Sequence, residues 1–285
     1  MITGINNSFL YAAKKVIVTC TNGTNNIQFR GTCFFLKHEK GLIMVTNRHV
    51  VEPGYKDDEY KDYQVIKMEI DSFQNLDERG VPSHYRCGEI YNFKDFKFPK
   101  GKDDDVACLF APTGSSLIIN STIPFSLLGD EFWIDNNLSV CDQIAYPGFP
   151  NYFDSANNTP IFRMGTIASD PRLDYSWDKD DVNSHKIAYE GFSSGGASGS
   201  PVFALQKGFQ VGQGISAPEG FYREVKLVGV NAGHLNNEDI NSKLIIPTEK
   251  GSVSAPIITH QHSGISYFYK SSVILEICQK EFNLK

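Results

Sequence analysis

Residues 15–36 read KVIVTCTNGTNNIQFRGTCFFL, two apolar runs joined by a turn rich in Asn, Gly and Thr. Residues 15–20 and 27–36 are dense in β-branched and aromatic side chains, so the stretch predicts a β-hairpin that turns at residues 21–26. Similar runs predict further strands at residues 42–46, 63–70, 105–110, 140–145, 161–168, 186–190, 201–205 and 226–232. Many short strands separated by Gly, Pro and Asn favour an all-β barrel or sandwich.

The segments outside these runs predict loops and one helix. Ser271 or Ser272 can cap a helix over residues 273–282, where apolar side chains recur at helical spacing. We expect the tail from residue 251 to pack as one strand followed by this helix. Residues 114–132 are the expected barrel-to-barrel connection. Polar composition predicts surface loops at residues 52–61, 170–184 and 235–254.

The composition excludes several classes of partner. The formal net charge is -6 and the chain has no long run of Lys and Arg, so nucleic acid is not an expected partner. No stretch reaches the roughly 20 apolar residues that cross a bilayer, so no membrane is expected either. The N-terminus lacks a basic segment followed by an apolar one, which predicts a cytoplasmic location. None of the six cysteines forms a CxxC pair, and we expect free thiols.

Residues 195–203 read GGASGSPVF and place a serine in a glycine-rich turn. A serine hydroxyl needs an adjacent base, and it needs N–H groups aimed at the oxygen that becomes negative. Gly195 and Gly199 permit a tight turn, from which the N–H groups of Gly196 and Ser198 can point into one concavity. The pattern predicts Ser198 as a nucleophile, with Gly196 and Ser198 as its oxyanion hole. The alternative is a Gly/Ser surface loop with no catalytic role.

Two further segments supply the partners that this serine needs. His49 follows the strand predicted at residues 42–46, where a base can face a cleft. Asp105 directly precedes an alternating apolar stretch, so its carboxylate can lie at the cleft end of a strand and hold one imidazole nitrogen. Asp104 is the alternative if the register is shifted. His49, Asp105 and Ser198 therefore predict a catalytic triad in the chain order His, Asp, Ser.

On these motifs the sequence resembles the chymotrypsin-like (trypsin-like) serine peptidase superfamily, and it looks most similar to the bacterial Deg-type proteases and glutamyl endopeptidases. The resemblance is carried by residues 31–35, 45–51, 105–107, 196–203 and 228–233. It implies an all-β fold of two packed six-stranded antiparallel β-barrels with a C-terminal helix. Residues 1–120 would form the barrel with His49 and Asp105, and residues 121–285 the barrel with Ser198 and the helix. It further implies a protein or peptide substrate and no cofactor.

The resemblance also indicates which residues line the pocket for P1, the substrate residue before the scissile bond. They are Phe192, Ser193, Asn231, Ala232, Gly233 and His234. Phe192 stands where trypsin-type enzymes carry an aspartate, so P1 Lys or Arg is not expected. Ser193 keeps a hydroxyl of the glutamyl relatives, whereas Asn231 replaces their histidine and His234 is the candidate substitute. We expect a small or polar P1, with an acidic P1 as the alternative.

Two departures from secreted relatives bear on regulation. Val50 replaces their cysteine, in agreement with a reduced compartment. Ala197 replaces the aspartate that pairs with a cut N-terminus in zymogens. The enzyme is therefore expected to be competent without such a cut, or to be controlled by a regulatory protein partner or by loop ordering.

Other functions fit the sequence less well. A catalytically silent, peptide-binding pseudoprotease is the main alternative to a serine endopeptidase. An esterase of the α/β type would need Gly-x-Ser-x-Gly, which fails at Ser200. Neither the HQH sequence at residues 260–262 nor the acidic cluster at residues 103–105 has the ligand spacing of a metal site, so no metal is expected.

Overall fold

The computed structural model describes residues 5–178, 184–208, 222–248 and 251–283, with the backbone alone for residues 238–248 and 251–260. Its N-terminal part is an eight-stranded sheet in the order β6-β3-β2-β1-β4-β5-β7, and β8 pairs in parallel with β2. These strands are β1 (Lys14–Thr21), β2 (Asn26–His38), β3 (Gly41–Thr46), β4 (Gln64–Leu76), β5 (Pro82–Ile90), β6 (Ala107–Phe110), β7 (Gly114–Ser115) and β8 (Ile123–Pro124). The predicted hairpin of β1 and β2 is confirmed.

The strand β2 lies between two hydrophobic cores. Cys33 and Phe35 pack into the core that the N-terminal sheet encloses. Phe34 and Leu36 point to the other face and join a core shared with the C-terminal half. Because successive side chains of a strand point to opposite faces, an unbroken apolar run suits a strand that is buried on both sides.

The N-terminal sheet is a half-barrel, which corrects the predicted closed six-stranded barrel. Within residues 5–178, β6 and β7 lie at opposite ends of the sheet and no ladder joins them. The physical reason lies at the free edge of β6. There the backbone of Lys97 exchanges hydrogen bonds of 2.7 and 3.0 Å with Cys108, so the edge is already covered.

The C-terminal half is a closed six-stranded barrel, as predicted, in the order β10-β11-β14-β13-β12-β9 with β9 paired to β10. Its strands are β9 (Gln143–Gly148), β10 (Ile161–Ile167), β11 (Lys186–Glu190), β12 (Pro201–Ala204), β13 (Lys226–Thr248) and β14 (Gly251–Lys270). Aromatic side chains fill much of its interior, among them Tyr146, Tyr189 and Phe268.

Several segments predicted as loops are ordered elements. Residues 235–254 lie largely in β13 and β14, whose backbones pair as far as Thr248 opposite Gly251. The predicted connection at 114–132 carries β7 and β8 and runs into the helix α2 (Glu131–Asn137). The loop predictions were wrong because polar composition indicates solvent exposure and carries no information on backbone pairing. Of the loop predicted at 170–184, residues 179–183 lie outside the described residues.

The strand predicted after residue 251 and the closing helix, α3 (Ser271–Phe282), are both confirmed. Val273, Ile274, Ile277 and Cys278 of this helix are buried in the shared core. The predicted serine cap is wrong. The helix begins at Ser271, Lys270 precedes it without a side-chain cap, and the Ser271 hydroxyl donates to the Gly129 carbonyl at 2.5 Å.

All six cysteines are free thiols. In the described part of the chain, no helix has both the length and the apolar character needed to cross a bilayer. The division of the chain at residue 120 stays a prediction.

Candidate active site

His49 lies on the short helix α1 (Arg48–Val51), directly after β3. The preceding residue, Asn47, is buried and its side-chain amide donates to the Asp105 carbonyl at 2.6 Å. This bond ties the start of α1 to the chain segment that enters β6. The sequence therefore folds so that His49 and Asp105 approach each other across the end of the N-terminal sheet.

The His49–Asp105 pair has two hydrogen bonds. The His49 backbone N–H donates to Asp105 Oδ1 at 2.8 Å, and His49 Nδ1 lies 2.6 Å from Asp105 Oδ2. A carboxylate can only accept, so Nδ1 carries the proton and Nε2 is left as the acceptor. Asp105 is buried, and burial alone would raise its pKa. The contacts of Asp105 with His49 and with the Lys56 ammonium outweigh burial and hold the pKa of Asp105 well below its usual range.

Lys56 is a second partner of Asp105 that the sequence analysis did not single out. Its Nζ lies 2.5 Å from Asp105 Oδ2, the same oxygen that faces His49 Nδ1. Burial would lower the pKa of Lys56, but the Asp105 carboxylate outweighs it and raises that pKa above its ordinary value. The residue lies in a segment predicted only as a polar surface loop, and nothing in that pattern marks this contact.

The alternative aspartate, Asp104, holds a different histidine. The His185 backbone N–H donates to Asp104 Oδ1 at 2.9 Å, and His185 Nδ1 lies 2.9 Å from Asp104 Oδ2. The hydrogen bond to Asp104 raises the pKa of His185, against the opposing effect of burial. Asp104 and Asp105 thus each hold one histidine, and Asp105 is the one that faces His49.

Ser198 lies in a turn that only glycine can build at two positions. Gly196 and Gly199 have φ of +89° and +87°, in the left-handed region that favours glycine. A Cβ at Gly199 would lie 1.9 Å from the Thr32 carbonyl oxygen, and one at Gly196 would lie 2.3 Å from the Phe149 carbonyl oxygen. The Thr32 N–H donates to the Ser198 carbonyl at 2.8 Å and fixes the turn to β2.

The turn leaves two backbone donors available. Among the described residues, the N–H groups of Gly196 and Ser198 donate to no acceptor, whereas the Ala197 N–H donates to the Ser194 carbonyl at 3.1 Å. The side-chain hydroxyl of Thr32 donates to the Gly196 carbonyl at 2.7 Å. Two free N–H groups beside a serine are the donors that an oxyanion requires.

Gly31 lies between the two parts of the site. A Cβ at Gly31 would lie 2.9 Å from Val50 Cγ2 and 3.4 Å from the Ser198 carbonyl oxygen. The residue after His49 and the serine turn therefore approach the same backbone position. In the described chain the Ser198 hydroxyl makes no hydrogen bond to His49; it donates to the Ala232 carbonyl at 3.2 Å.

The predicted pocket residues fall into a buried and an exposed group. Asn231 is buried, and its amide donates to Ser193 Oγ and to the Ala197 carbonyl, both at 3.0 Å, while its carbonyl oxygen accepts from Tyr189 at 2.7 Å. Asn231 thus supports the serine turn from behind. Phe192 has an exposed side chain.

The wall formed by Ala232, Gly233 and His234 is extended by His262, a histidine that the sequence analysis set aside as a metal ligand. The His234 ring stacks on His262 with ring centroids 4.5 Å apart and planes 13° apart. The Phe192 ring also packs against His262, with ring centroids 4.9 Å apart. Desolvation lowers the pKa of both imidazoles, and for His262 the neighbouring His234 adds to the effect. Residues 260–262 are part of β14, which pairs with β13 and places His262 opposite Asn236 in the ladder.

The fold and this arrangement define a class of protein. A closed β-barrel beside a β half-barrel, with a His–Asp pair opposite a glycine-built serine turn, is typical of trypsin-like peptidases. The sequence profile of the trypsin-like peptidase domain matches residues 31–212, well over half of the chain, and the chain belongs to this family. A sequence search among curated proteins found no match. The narrower resemblance to Deg-type proteases and glutamyl endopeptidases stays a prediction.

Proposed function

We propose that the protein is a serine endopeptidase in which Ser198, His49 and Asp105 form the catalytic triad. The single observation that carries this proposal is the packing at Gly31, where the helix of His49 and the turn of Ser198 meet at one backbone position. A His–Asp pair with a free Nε2 on one side, and a serine with two free N–H donors on the other, are the groups that acyl transfer needs.

The proposed reaction assigns one role to each group. His49 Nε2 takes the proton from Ser198 Oγ as this oxygen attacks the peptide carbonyl, and Asp105 stabilises the imidazolium that forms. The N–H groups of Gly196 and Ser198 bind the oxyanion. The C–N bond then breaks, His49 gives its proton to the leaving amine, and water hydrolyses the acyl-enzyme by the same steps.

The free structure lacks one hydrogen bond of this arrangement. The Ser198 hydroxyl donates to the Ala232 carbonyl, so this bond must break before the hydroxyl can donate to His49. Catalytic hydrogen bonds are often absent before substrate binds. The same contact is the observation that favours the pseudoprotease alternative, in which the hydroxyl stays on Ala232.

Labelling with a fluorophosphonate probe separates these alternatives. We expect the wild type to be labelled, and Ser198→Ala and His49→Ala to lose the label, because both the nucleophile and its base are needed. Cleavage of a peptide without cleavage of short esters would then distinguish an endopeptidase from an esterase. A folded wild type that stays unlabelled would support the silent module or an enzyme that waits for a regulatory protein partner.

For specificity, we propose that the stacked pair His234 and His262 favours an acidic P1 over the small or polar alternative. Each imidazole has a lowered pKa, so a carboxylate that enters the pocket can restore the charged form by pairing with it. Peptides that differ only in Glu, Gln or Ala at P1 test this. For the wild type we expect the highest kcat/KM with the Glu peptide. In His262→Phe, kcat/KM for the Glu peptide should fall toward the value for the Gln peptide. Equal rates for all three peptides would refute the acidic preference.

A further part of the proposal concerns regulation. Ala197 is buried and carries no carboxylate that a cut N-terminus could pair with. We therefore expect activity without N-terminal processing. Activity that appears only after N-terminal cleavage would contradict this part.

A further inference from the structure

Asp105 Oδ2 contacts two basic side chains, those of His49 and Lys56. Lys56 Nζ lies 2.5 Å away and His49 Nδ1 2.6 Å away, so the two nitrogens are no more than about 5 Å apart, a distance at which charges interact strongly. Asp105 is fully buried, and its other oxygen is taken by the His49 backbone N–H. The lysine and the imidazole therefore depend on one carboxylate oxygen.

The surroundings keep Lys56 on this oxygen. On its other side is a cavity of about 580 Å³ whose described lining includes three more cations, Arg48, Lys102 and Lys186, and one acid, Asp103. Repulsion from these cations disfavours movement of the Lys56 ammonium into the cavity. Its Nζ also lies 5.9 Å from the Tyr267 ring centroid. His49 and Lys56 act on the carboxylate directly, and Tyr267 acts on Lys56. The charges of Asp105, Arg48, Asp103 and Asp104 act on the neighbouring Tyr55.

We propose that Lys56 is a positioning residue of the active site, whose ammonium shares Asp105 Oδ2 with His49 and so limits how strongly His49 holds a proton. The inference rests on the proposed function, because it assigns a role to Lys56 in the proton transfer at Ser198. Among the described residues Lys56 contacts neither the serine turn nor the oxyanion donors, and it acts on His49 through Asp105.

The direction of the effect follows from electrostatics. A carboxylate stabilises the imidazolium beside it, and a second cation on the same oxygen offsets part of that stabilisation. Removal of the Lys56 charge should therefore stabilise the imidazolium of His49, whereas another cation at this position should preserve the wild-type balance.

Kinetics of charge variants test this role. In Lys56→Met the acid limb of the kcat/KM profile should move to higher pH by about one to two units, the size of shift that a nearby charge causes. Lys56→Arg keeps the charge and should restore the wild-type limb. Lys102→Met is the matched control, because Lys102 lines the same cavity but has no ion pair with Asp105 among the described residues. A lower rate at every pH with an unmoved acid limb would reduce Lys56 to a structural role and overturn the inference.

A second measurement does not depend on turnover. In Ser198→Ala protein with labelled histidines, the ring signal of His49, assigned by its loss in His49→Gln, gives the midpoint of its titration. The midpoint should rise in Lys56→Met and in Lys56→Gln, and it should stay at the Ser198→Ala value in Lys102→Met. Equal midpoints in all variants would overturn the inference even in an active enzyme. A shifted midpoint, together with a folded wild type that neither labels nor cleaves, would support Lys56 and count against the proposed function alone.

Discussion

Two neighbouring aspartates hold two histidines in nearly the same way, yet only one pair faces a serine. In both pairs a backbone N–H donates to Oδ1 and Nδ1 meets Oδ2, at 2.8 and 2.6 Å for His49–Asp105 and at 2.9 and 2.9 Å for His185–Asp104. The side chain of His49 is 24% exposed and that of His185 is 39% exposed. The geometry of a His–Asp pair therefore does not by itself define an active site.

The difference lies in what surrounds each imidazole. His49 lies on the N-terminal half-barrel, its aspartate also carries Lys56, and Val50 beside it packs with Gly31 near the Ser198 turn. His185 comes just before β11 of the barrel, and the charges of Asp174 and Glu131 act on it. Successive side chains in an extended chain point to opposite sides. Asp105 can therefore bind His49 of the N-terminal half while Asp104 binds His185 of the C-terminal half.

Replacing each of the two carboxylates by an amide, one at a time, gives the largest expected difference in kcat. Asp105→Asn should lower kcat by about 10⁴-fold, because an amide in this position stabilises the wrong imidazole tautomer. Asp104→Asn, the matched change one residue earlier, should cost less than about tenfold, since His185 contacts no reacting group. Equal losses of kcat in two folded variants would show that both pairs take part in catalysis.

The second contrast is in stability and pH. The pKa of His185 in the folded state is raised above its unfolded value, so its ion pair contributes below the unfolded value and the contribution is lost as pH rises through the folded one. His185→Gln should lower the free energy of unfolding by no more than about 1 kcal/mol near pH 5, because solvent screens the partly exposed imidazole, and by less near pH 9. Urea unfolding at both pH values measures the two differences. A larger loss of unfolding free energy at pH 9 than at pH 5 would contradict a stabilising ion pair at His185.

The smallest effect is expected at the first residue of the acidic triplet. Asp103 is only partly buried, and its backbone carbonyl, not its carboxylate, accepts a hydrogen bond from Tyr269 at 3.1 Å. Asp103→Asn should change kcat/KM by less than about threefold, as expected for a partly exposed charge. A loss comparable to that of Asp105→Asn would mean that the local field, rather than a single carboxylate, sets the reactivity of His49.

The sequence predicted the fold best where strands are buried. The apolar runs of β1, β2 and β3 produced strand predictions within a few residues of the observed bounds, and the segment at Lys186–Glu190 was predicted to the residue. The paired backbones of residues 235–254 were missed because their polar composition carries no strand pattern. Closure of the first barrel could not be judged from local sequence, since it depends on what covers the edge of β6.

The site could be predicted only in part. His49, Asp105 and Ser198 each stand in a local motif with its own flanking residues, and such patterns are visible along the chain. Lys56, His185 and His262 have no such motif, and their contacts depend on distant elements that only the folded chain brings together. His262 reaches His234 through the pairing of β13 with β14.

Thr32 joins the two halves at the serine turn. Its hydroxyl donates to the Gly196 carbonyl and accepts from the Phe149 N–H, while its backbone N–H holds Ser198. The scaffold of the proposed nucleophile thus includes a residue from the other half of the molecule. If the chain were expressed as two separate pieces divided at residue 120, neither piece alone could form this site, and activity would report their reassembly. The protein is in this sense a natural starting point for a fragment-complementation sensor.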